Sequence, residues 1–478
     1  MSFELFEYKI EDLGKVITGK TPPAKISDAF STQGIPFVTP KDMDGRRLIN
    51  KTERYLSSQG VEAVRNCLLP QNSIAVSCIG SDMGKTVLLP GKSITNQQIN
   101  AIVVDSDRFD YKYVYYYLST LQDAFKAISG GSATPILNKG HFSQFKVSLP
   151  VKSVQKKIAL ILDSLDTKIE INTEINQTLE QMAQALFKSW FVDFEPVKAK
   201  MAVLEAGGSQ EDATLAAMMT ISGKDVDALA VFEREHPEQY AELKATAELF
   251  PSALQESELG EIPIGWDIKN IKSLSLALSK GTTPAKKDLS SEENQNINFL
   301  KVKDIGDDGL INVFSLDKIS KRVHEMVLKR SILQSNDILF SIAGTIGRVA
   351  VVENEMLACN CNQAIAFIRL KDSASYLNLI RLNLQSKRIQ QEVQSKVVQG
   401  VQANLSLTAL GELKVILPSD NVLISFNNVI TPLWEQQLSI TNSIMCLTQL
   451  RDTLLPKLLS GEITLPEAEQ AVSEAEHV

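Results

Sequence analysis

The stretch VQKKIALILDSLDTKIEINTEINQTLEQMAQALFKSW, residues 154–190, decides the fold. Its apolar residues Ile158, Ile161, Leu165, Ile169, Ile175, Leu179, Met182 and Leu186 are spaced mostly by three and four. That spacing lays one narrow stripe along a helix. No Pro or Gly interrupts it, and at 1.5 Å per residue it spans roughly 55 Å. A stripe so long and narrow is a coiled-coil seam, and a seam needs a partner helix.

The partner lies in the same chain. Residues 422–459 carry a second stripe through Phe426, Ile430, Leu433, Ile440, Ile444, Leu447, Leu450, Leu454 and Leu458. Shifted back by 268 positions, Phe426 falls on Ile158, Leu433 on Leu165, Leu447 on Leu179 and Leu454 on Leu186. Each run follows a strand-like segment ending in Leu-Pro, FKVSLP (145–150) and LKVILP (413–418). A helix that recurs with its preceding strand marks an internal repeat.

The segments ahead of the helices repeat too. Residues 1–150 read as short strands with Gly and Pro turns: the loop ITGKTPPAK (17–25), the strand and polar corner IPFVTPKDM (35–43), the strand pair SIAVSCIG (73–80) and KTVLLP (85–90), and the strand INAIVV (99–104). A helix starts at YKYVYYYLST (111–120) and is expected to run to Ile128, before the glycine loop at 128–142. Residues 263–418 replay this order through ALSKGTTPAKK (277–287), INFLKVKDI (297–305), SNDILFSIAGTIGRVAVV (335–352), CNQAIAFIRL (361–370) and QGVQANLS (399–406). Between the repeats, residues 195–262 are rich in Ala, Glu and Asp, with helical signals at 210–220 and 225–248.

Charge is unevenly placed in this chain of 478 residues and formal net charge −8. Residues 1–150 hold 17 Lys and Arg against 14 Asp and Glu, a net of +3, and residues 263–418 hold 20 against 15, a net of +5. The acidity lies in 195–262, with 5 against 14, and after 418, with 2 against 8. Phosphate binding needs local rather than overall positive charge. No apolar run approaches 18 residues, and MSFELFEYKI lacks the basic and apolar regions of a signal peptide, so a cytoplasmic location without a membrane is expected. The five Cys (67, 78, 359, 361, 446) and four His show no metal-ligand spacing.

Together the paired Leu-Pro-then-helix segments, LFKSWFVDFEPVKAKM (186–201), ELGEIPIGW (258–266) and LRDTLLPKLLSGEI (450–463) resemble the specificity (S) subunit of type I restriction–modification systems. The resemblance covers nearly the whole chain, and the acidic segment 195–262 departs from it. It implies two target recognition domains and two helices packed antiparallel as a spacer. It implies partners: double-stranded DNA, two methyltransferase subunits and two restriction/translocase subunits. No cofactor is expected on this chain; S-adenosylmethionine, ATP and Mg belong to the partner subunits. The fold class expected is α+β, divided as recognition domain 1–150, spacer helix 151–194, acidic helical linker 195–262, recognition domain 263–418, spacer helix 419–465 and acidic tail 466–478. Residues expected in helix packing are Ile158, Leu165, Ile169, Leu179, Leu186, Phe426, Leu433, Ile444, Leu447 and Leu454.

The DNA-binding candidates come from the loops. GSDMGKT (80–86) looks like a phosphate-binding loop, but it is one residue short and precedes a strand rather than a helix. Its repeat copy GTIGRV (344–349) drops the Lys-Ser/Thr pair. A tight turn presenting Lys85 and Arg348 fits better, since cations contact phosphate and Arg also reads guanine. Lys20 and Thr21, with Lys280 and Thr283, sit on matching turns, and Lys41 answers Lys303. Gln97 and Gln98 match the region of Asn362 and Gln363. Amides suit adenine, although Gln98 and Gln363 can equally cap strand ends from inside. Gly131 and Ser132, with Gly400, permit close backbone approach to phosphate, as would any glycine loop with no DNA present. No catalytic motif is recognisable. A DNA-reading subunit without its own active site is the expectation, and a DNA-acting enzyme with a cryptic site is the alternative.

Overall fold

The computed structural model describes residues 3–128, 136–289, 295–397 and 403–475. It divides into two compact units, 1–170 with 446–478, and 171–445. Both boundaries fall inside the two long helices, Lys152–Phe191 and Asp420–Ser460.

The first repeat contains β1 (Phe6–Lys9), β2 (Gly14–Thr18), β3 (Phe30–Ser31), β4 (Ile35–Val38), β5 (Arg54–Leu56), β6 (Ser73–Ser77), β7 (Thr86–Leu89), β8 (Ile94–Thr95), β9 (Ile99–Val104) and β10 (Lys146–Leu149). A four-stranded antiparallel sheet runs β2-β9-β6-β7. A smaller sheet runs β3-β5-β4-β8, with β4 and β8 parallel. β1 pairs with β10 and closes the repeat on itself. Alternation sends Ile74, Val76 and Ile102 into one core and Ala75, Val87 and Ala101 into another. The sheet is therefore buried on both faces, which explains its unbroken apolar sequence.

A hairpin of β11 (Leu254–Ser257) and β12 (Gly260–Pro263) precedes the second repeat. That repeat holds β13 (Asp267–Asn270), β14 (Ser275–Lys280), β15 (Gln295–Leu300), β16 (Asp317–Ser320), β17 (Ile338–Ser341), β18 (Val349–Val351), β19 (Cys359–Cys361), β20 (Ile365–Leu370) and β21 (Lys414–Leu417). Its main sheet runs β14-β20-β17-β18, its small sheet β16-β15-β19, and β13 pairs with β21. The order and the one parallel pair, β15 with β19, copy the first repeat. Ile338, Phe340 and Ile368 again face one core while Leu339, Phe367 and Ala350 face another.

The two long helices are antiparallel within each unit. In the first, Asp166 bonds Arg451 at 2.7 Å, and Ile158, Ile161, Leu165, Leu447, Leu454 and Leu458 share one buried core with Ile169 half-buried at its edge. In the second, Asn172 meets Ser443, Asn176 meets Thr441, and Phe187, Trp190 and Phe191 surround Phe426. Leu186 and Leu433 pack at the edge of that core, and Leu179 is buried.

Several expectations are corrected. The apolar stripe does not run unbroken: Ile175 and Met182 are exposed, and Asn176 and Glu180 take the buried positions. An α-helix gains 3.6 residues per turn, so a heptad stripe drifts around a straight helix. Ile444 is half-buried, and Met445 is the buried neighbour. The helix from Tyr111 stops at Ser119 and restarts at Gln122. The 225–248 signal is two helices, Val226–Glu235 and Pro237–Leu249, because Pro237 disfavours helix at His236 and starts the next. Residues 195–262 are not a purely helical linker, since they end in the β11–β12 hairpin. They are also packed: Phe250 lies edge-on to Trp190 at 4.9 Å, and buried Lys200 donates to the carbonyls of Ala247 and Phe250. The acidic tail forms a helix, Leu465–Ala475, and docks Ala468 in the first unit's core.

Leu165 and Leu447 are fully buried, whereas Leu160 on the same helix is 71% exposed. Leu165→Ala or Leu447→Ala should cost about 2–5 kcal/mol, and Leu160→Ala less than about 0.5 kcal/mol. Urea midpoints of the three variants check this, and equal shifts would contradict the helix pairing.

Candidate nucleic-acid interface

The parallel pair in each small sheet sends two loops out from one end. β4 and β8 release residues 39–42 and 96–98, and the Asn96 amide donates to the Val38 carbonyl at 3.0 Å. β15 and β19 release 301–304 and 362–364, with the Asn362 amide on the Leu300 carbonyl at 3.0 Å. The main sheet brings a third loop there, because the end of β6 meets the start of β9 at Ser77 and Ile99. The turn that carries Lys85 is thus beside Gln98.

A fourth loop is locked against these by glycine. A Cβ on Gly19 would lie 2.2 Å from the Asn96 carbonyl oxygen, and one on Gly281 2.1 Å from that of Cys361. Only glycine permits this approach. The lock holds Thr21 so that its Oγ1 donates to Gln97 Oε1 at 2.8 Å, and in the second repeat Thr283 donates to Gln363 in the same way. The corners match as well. Asp42 accepts from the Thr39 amide at 2.8 Å and Asp304 from the Lys301 amide at 2.7 Å, which leaves Lys41 and Lys303 exposed alongside. Asn96 and Asn362 each accept from a backbone amide two residues on.

Lys20, Thr21, Lys41, Lys85, Gln97 and Gln98 are therefore gathered at one end of the first repeat. Lys280, Thr283, Lys303, Arg348, Asn362 and Gln363 gather at the equivalent end of the second. They are not all equally available. Lys85 pairs with Asp82 at 2.7 Å. Gln98 accepts from Asn96 at 3.1 Å. Arg348 donates to the carbonyls of Val302 and Ile305 and pairs with Asp307 at 2.7 Å, so it braces the corner that carries Lys303. Gly131, Ser132 and Gly400 lie outside the described residues. Among the described residues no group of three or more His, Cys, Asp or Glu is placed to hold a metal ion.

What the sequence reading missed is the anchorage of these loops. Arg47 follows the Lys41 corner and reaches the first long helix, bonding Asp163 at 2.5 Å and Glu170 at 2.9 Å. Lys112 also pairs with Asp163, Tyr116 donates to Asp166 at 2.6 Å, and Arg451 of the second long helix closes the group on Asp166. Asp163, Asp166 and Glu170 follow the three-four helical spacing that puts them on one face, which was a readable signal. The second repeat uses other chemistry. Arg381 is fully buried with its guanidinium 4.0 Å over the Trp434 ring and 3.8 Å from Glu180, while Trp434 donates to Glu353 at 3.2 Å. Burial lowers the Arg381 pKa to about 10, against the pull of Glu180 and Glu353, so it stays charged at neutral pH.

Residues 4–181 and 263–425 match the type I restriction modification DNA specificity domain. The chain belongs to this family. It is 34% identical over 345 residues to the type I restriction enzyme HindI specificity subunit of Haemophilus influenzae, covering 70% of this chain and 73% of that protein. It is 25% identical over 468 residues to the MjaIX specificity subunit of Methanocaldococcus jannaschii, covering 96% and 93%. A solved type I S subunit from M. genitalium shares the fold at 14% identity, with a TM-score of 0.53 over 96% of both chains. The chain is thus a DNA specificity subunit of the type I restriction–modification class. The family match omits residues 182–262, which include the packed acidic insert.

Burial raises the pKa of Asp163, but hydrogen bonds from Lys112 and Arg47 outweigh it and hold the carboxyl below its usual value. A carboxylate so held adds stability above roughly pH 4 and loses it as pH falls through its folded pKa. Arg47→Ala should therefore move the acid-unfolding midpoint to higher pH. At neutral pH it should cost about 3 kcal/mol, the low end for breaking a buried pair, because Glu170 is 37% exposed. An acid titration followed by circular dichroism checks both, and an unmoved midpoint would remove Arg47 from the anchor.

Proposed function

We propose that each repeat of this specificity subunit reads one half of a bipartite DNA site and that the paired long helices set the gap between the halves. The observation that carries this reading is the duplicated loop set. The same glycine lock, Thr–Gln bond and acid-capped corner occur twice, each beside exposed cations and amides suited to phosphate and base edges. The recognition domains are 1–150 and 263–418, and their different side chains at matching positions imply different half-sites. The DNA contacts assigned are Lys20, Thr21, Lys41, Lys85, Gln97, Gln98, Gly131 and Ser132 in the first, and Lys280, Thr283, Lys303, Arg348, Asn362, Gln363 and Gly400 in the second.

The subunit acts in the cytoplasm and directs two methyltransferase subunits and two restriction/translocase subunits, which carry the chemistry. S-adenosylmethionine, ATP and Mg²⁺ belong to those partners. Two features support partner docking. The repeat offers two similar surfaces for two copies of one partner. In addition, Ile171, Ile175 and Met182 form an exposed apolar line at helical spacing on the first long helix. Among the described residues no helix is long and apolar enough to cross a membrane.

Inserting four residues after Glu174 should add about 6 Å, just under two base pairs at about 3.4 Å each. Sequences selected by the variant complex should keep both half-sites and lengthen the gap. Altered half-site bases with the gap unchanged would show that the helices are not the ruler. The mass of the purified complex should correspond to two methyltransferase subunits per chain, and a saturating one-to-one ratio would count against the two-surface reading.

A further inference from the structure

We propose that residues 321–330 of the second repeat form a DNA-backbone contact, absent from the first repeat, that grips phosphates flanking the second half-site. This rests on the DNA-reading function above and adds a surface outside the loops assigned there.

The segment follows β16 and reads KRVHEMVLKR. Residues Val323–Val327 form a π-helical turn, closed by the Leu328 amide on the Val323 carbonyl at 2.8 Å. Such turns are rare and concentrate at functional sites. Its inner side is tightly held. Val323 and Leu328 pack with Phe299 and Ile319. Buried His324 meets Asn360 at 2.6 Å, and the Asn360 amide donates to the carbonyls of Leu328 and Ser331 at 3.2 and 2.9 Å.

The outer side carries Lys321, Glu325, Met326, Val327, Lys329 and Arg330, all exposed. Lys321 is partly offset by Glu325 at 3.6 Å. Lys329 and Arg330 have no carboxylate within ion-pair distance among the described residues. Met326 is 71% and Val327 41% exposed, so apolar tips stand beside the cations. A merely solvated loop gains nothing from exposing them, whereas a groove wall offers both phosphate and sugar. The backbone is fixed in advance by Asn360, which lowers the ordering cost of binding.

The position suits a duplex. β16 runs antiparallel to β15, so the segment leaves the small sheet at the end opposite Lys303. By Ile332, however, it runs antiparallel beside β19 at Asn360, which brings Lys329 and Arg330 back toward Asn362 and Gln363. The cations thus stand beside the loop set of the second repeat, placed to take phosphates next to the bases those loops reach. Among the described residues the first repeat has no equivalent. There β5 leads into the helix Ser58–Ala63, where Glu62 pairs with Arg65 at 3.3 Å and leaves no surplus charge.

The test uses the full complex with methyltransferase subunits. Lys329→Gln/Arg330→Gln changes only exposed side chains, and thermal melting should match the parent. We expect affinity to fall on the order of tenfold at 0.15 M salt and the slope of log affinity against log salt to shrink by about two, with both half-site sequences unchanged. Hydroxyl-radical footprints should lose protection only beside the second half-site. Met326→Asp should weaken binding with the same footprint change, and Arg65→Gln in the first repeat should do neither. An unchanged slope and footprint, while the parent still selects a bipartite site, would overturn this contact and leave the DNA-reading function intact. A parent complex that selects no bipartite site would overturn both.

Discussion

Burial of one apolar helix stripe against another is the constraint on which each compact unit depends. Every large side chain in the stripe contributes about 1.5–3 kcal/mol when removed from water. Apolar contacts alone do not fix a register, since leucines slide past one another at modest cost. The register comes from polar cross-bonds such as Asn172 with Ser443, Asn176 with Thr441 and Asp166 with Arg451. A buried polar pair is satisfied in one alignment only, so it trades stability for uniqueness.

The repeats meet a second demand, which is to vary side chains at a surface while its backbone stays fixed. They separate the two tasks. Gly19 and Gly281 let neighbouring loops touch, and Asp42 and Asp304 hold the corners from within. The fixing bonds are backbone or short side-chain contacts, so the exposed positions beside them can change without refolding the loop.

The sequence made the large features legible and left the fine ones hidden. The strands at Ile35, Ser73, Thr86, Ile99 and Lys146, their counterparts in the second repeat and the two long helices follow from period and punctuation, whereas Gly14–Thr18 and Ser275–Lys280 run into stretches that read as loops. The drift that expels Ile175 and Met182 does not, because it depends on the partner helix and on where polar pairs cross. Among the loop candidates, Thr21 and Gln97 could be ranked as polar and exposed, but not as bonded to one another across 76 residues. Arg348 looked like a free hairpin tip. Its bonds to Val302 and Ile305 depend on a corner 43 or more residues earlier in the chain. The insert at 195–262 looked like a linker because its charge was conspicuous, while Trp190, Phe250 and Trp266, which pack it, are far apart in sequence.

The two anchors differ in a way that bears on how such a protein can be recombined. In the first repeat, Arg47, Lys112 and Tyr116 face the carboxylates Asp163, Asp166 and Glu170. Shifted by 268, those helix positions become Thr431, Trp434 and Leu438, and the resident cation there lies on an aromatic face instead. The repeats share a fold but are not interchangeable parts. A first-position module spliced before the second helix would bury its arginine without a carboxylate. A module moved between positions therefore keeps its anchor only if the helix residues 163–170 travel with it.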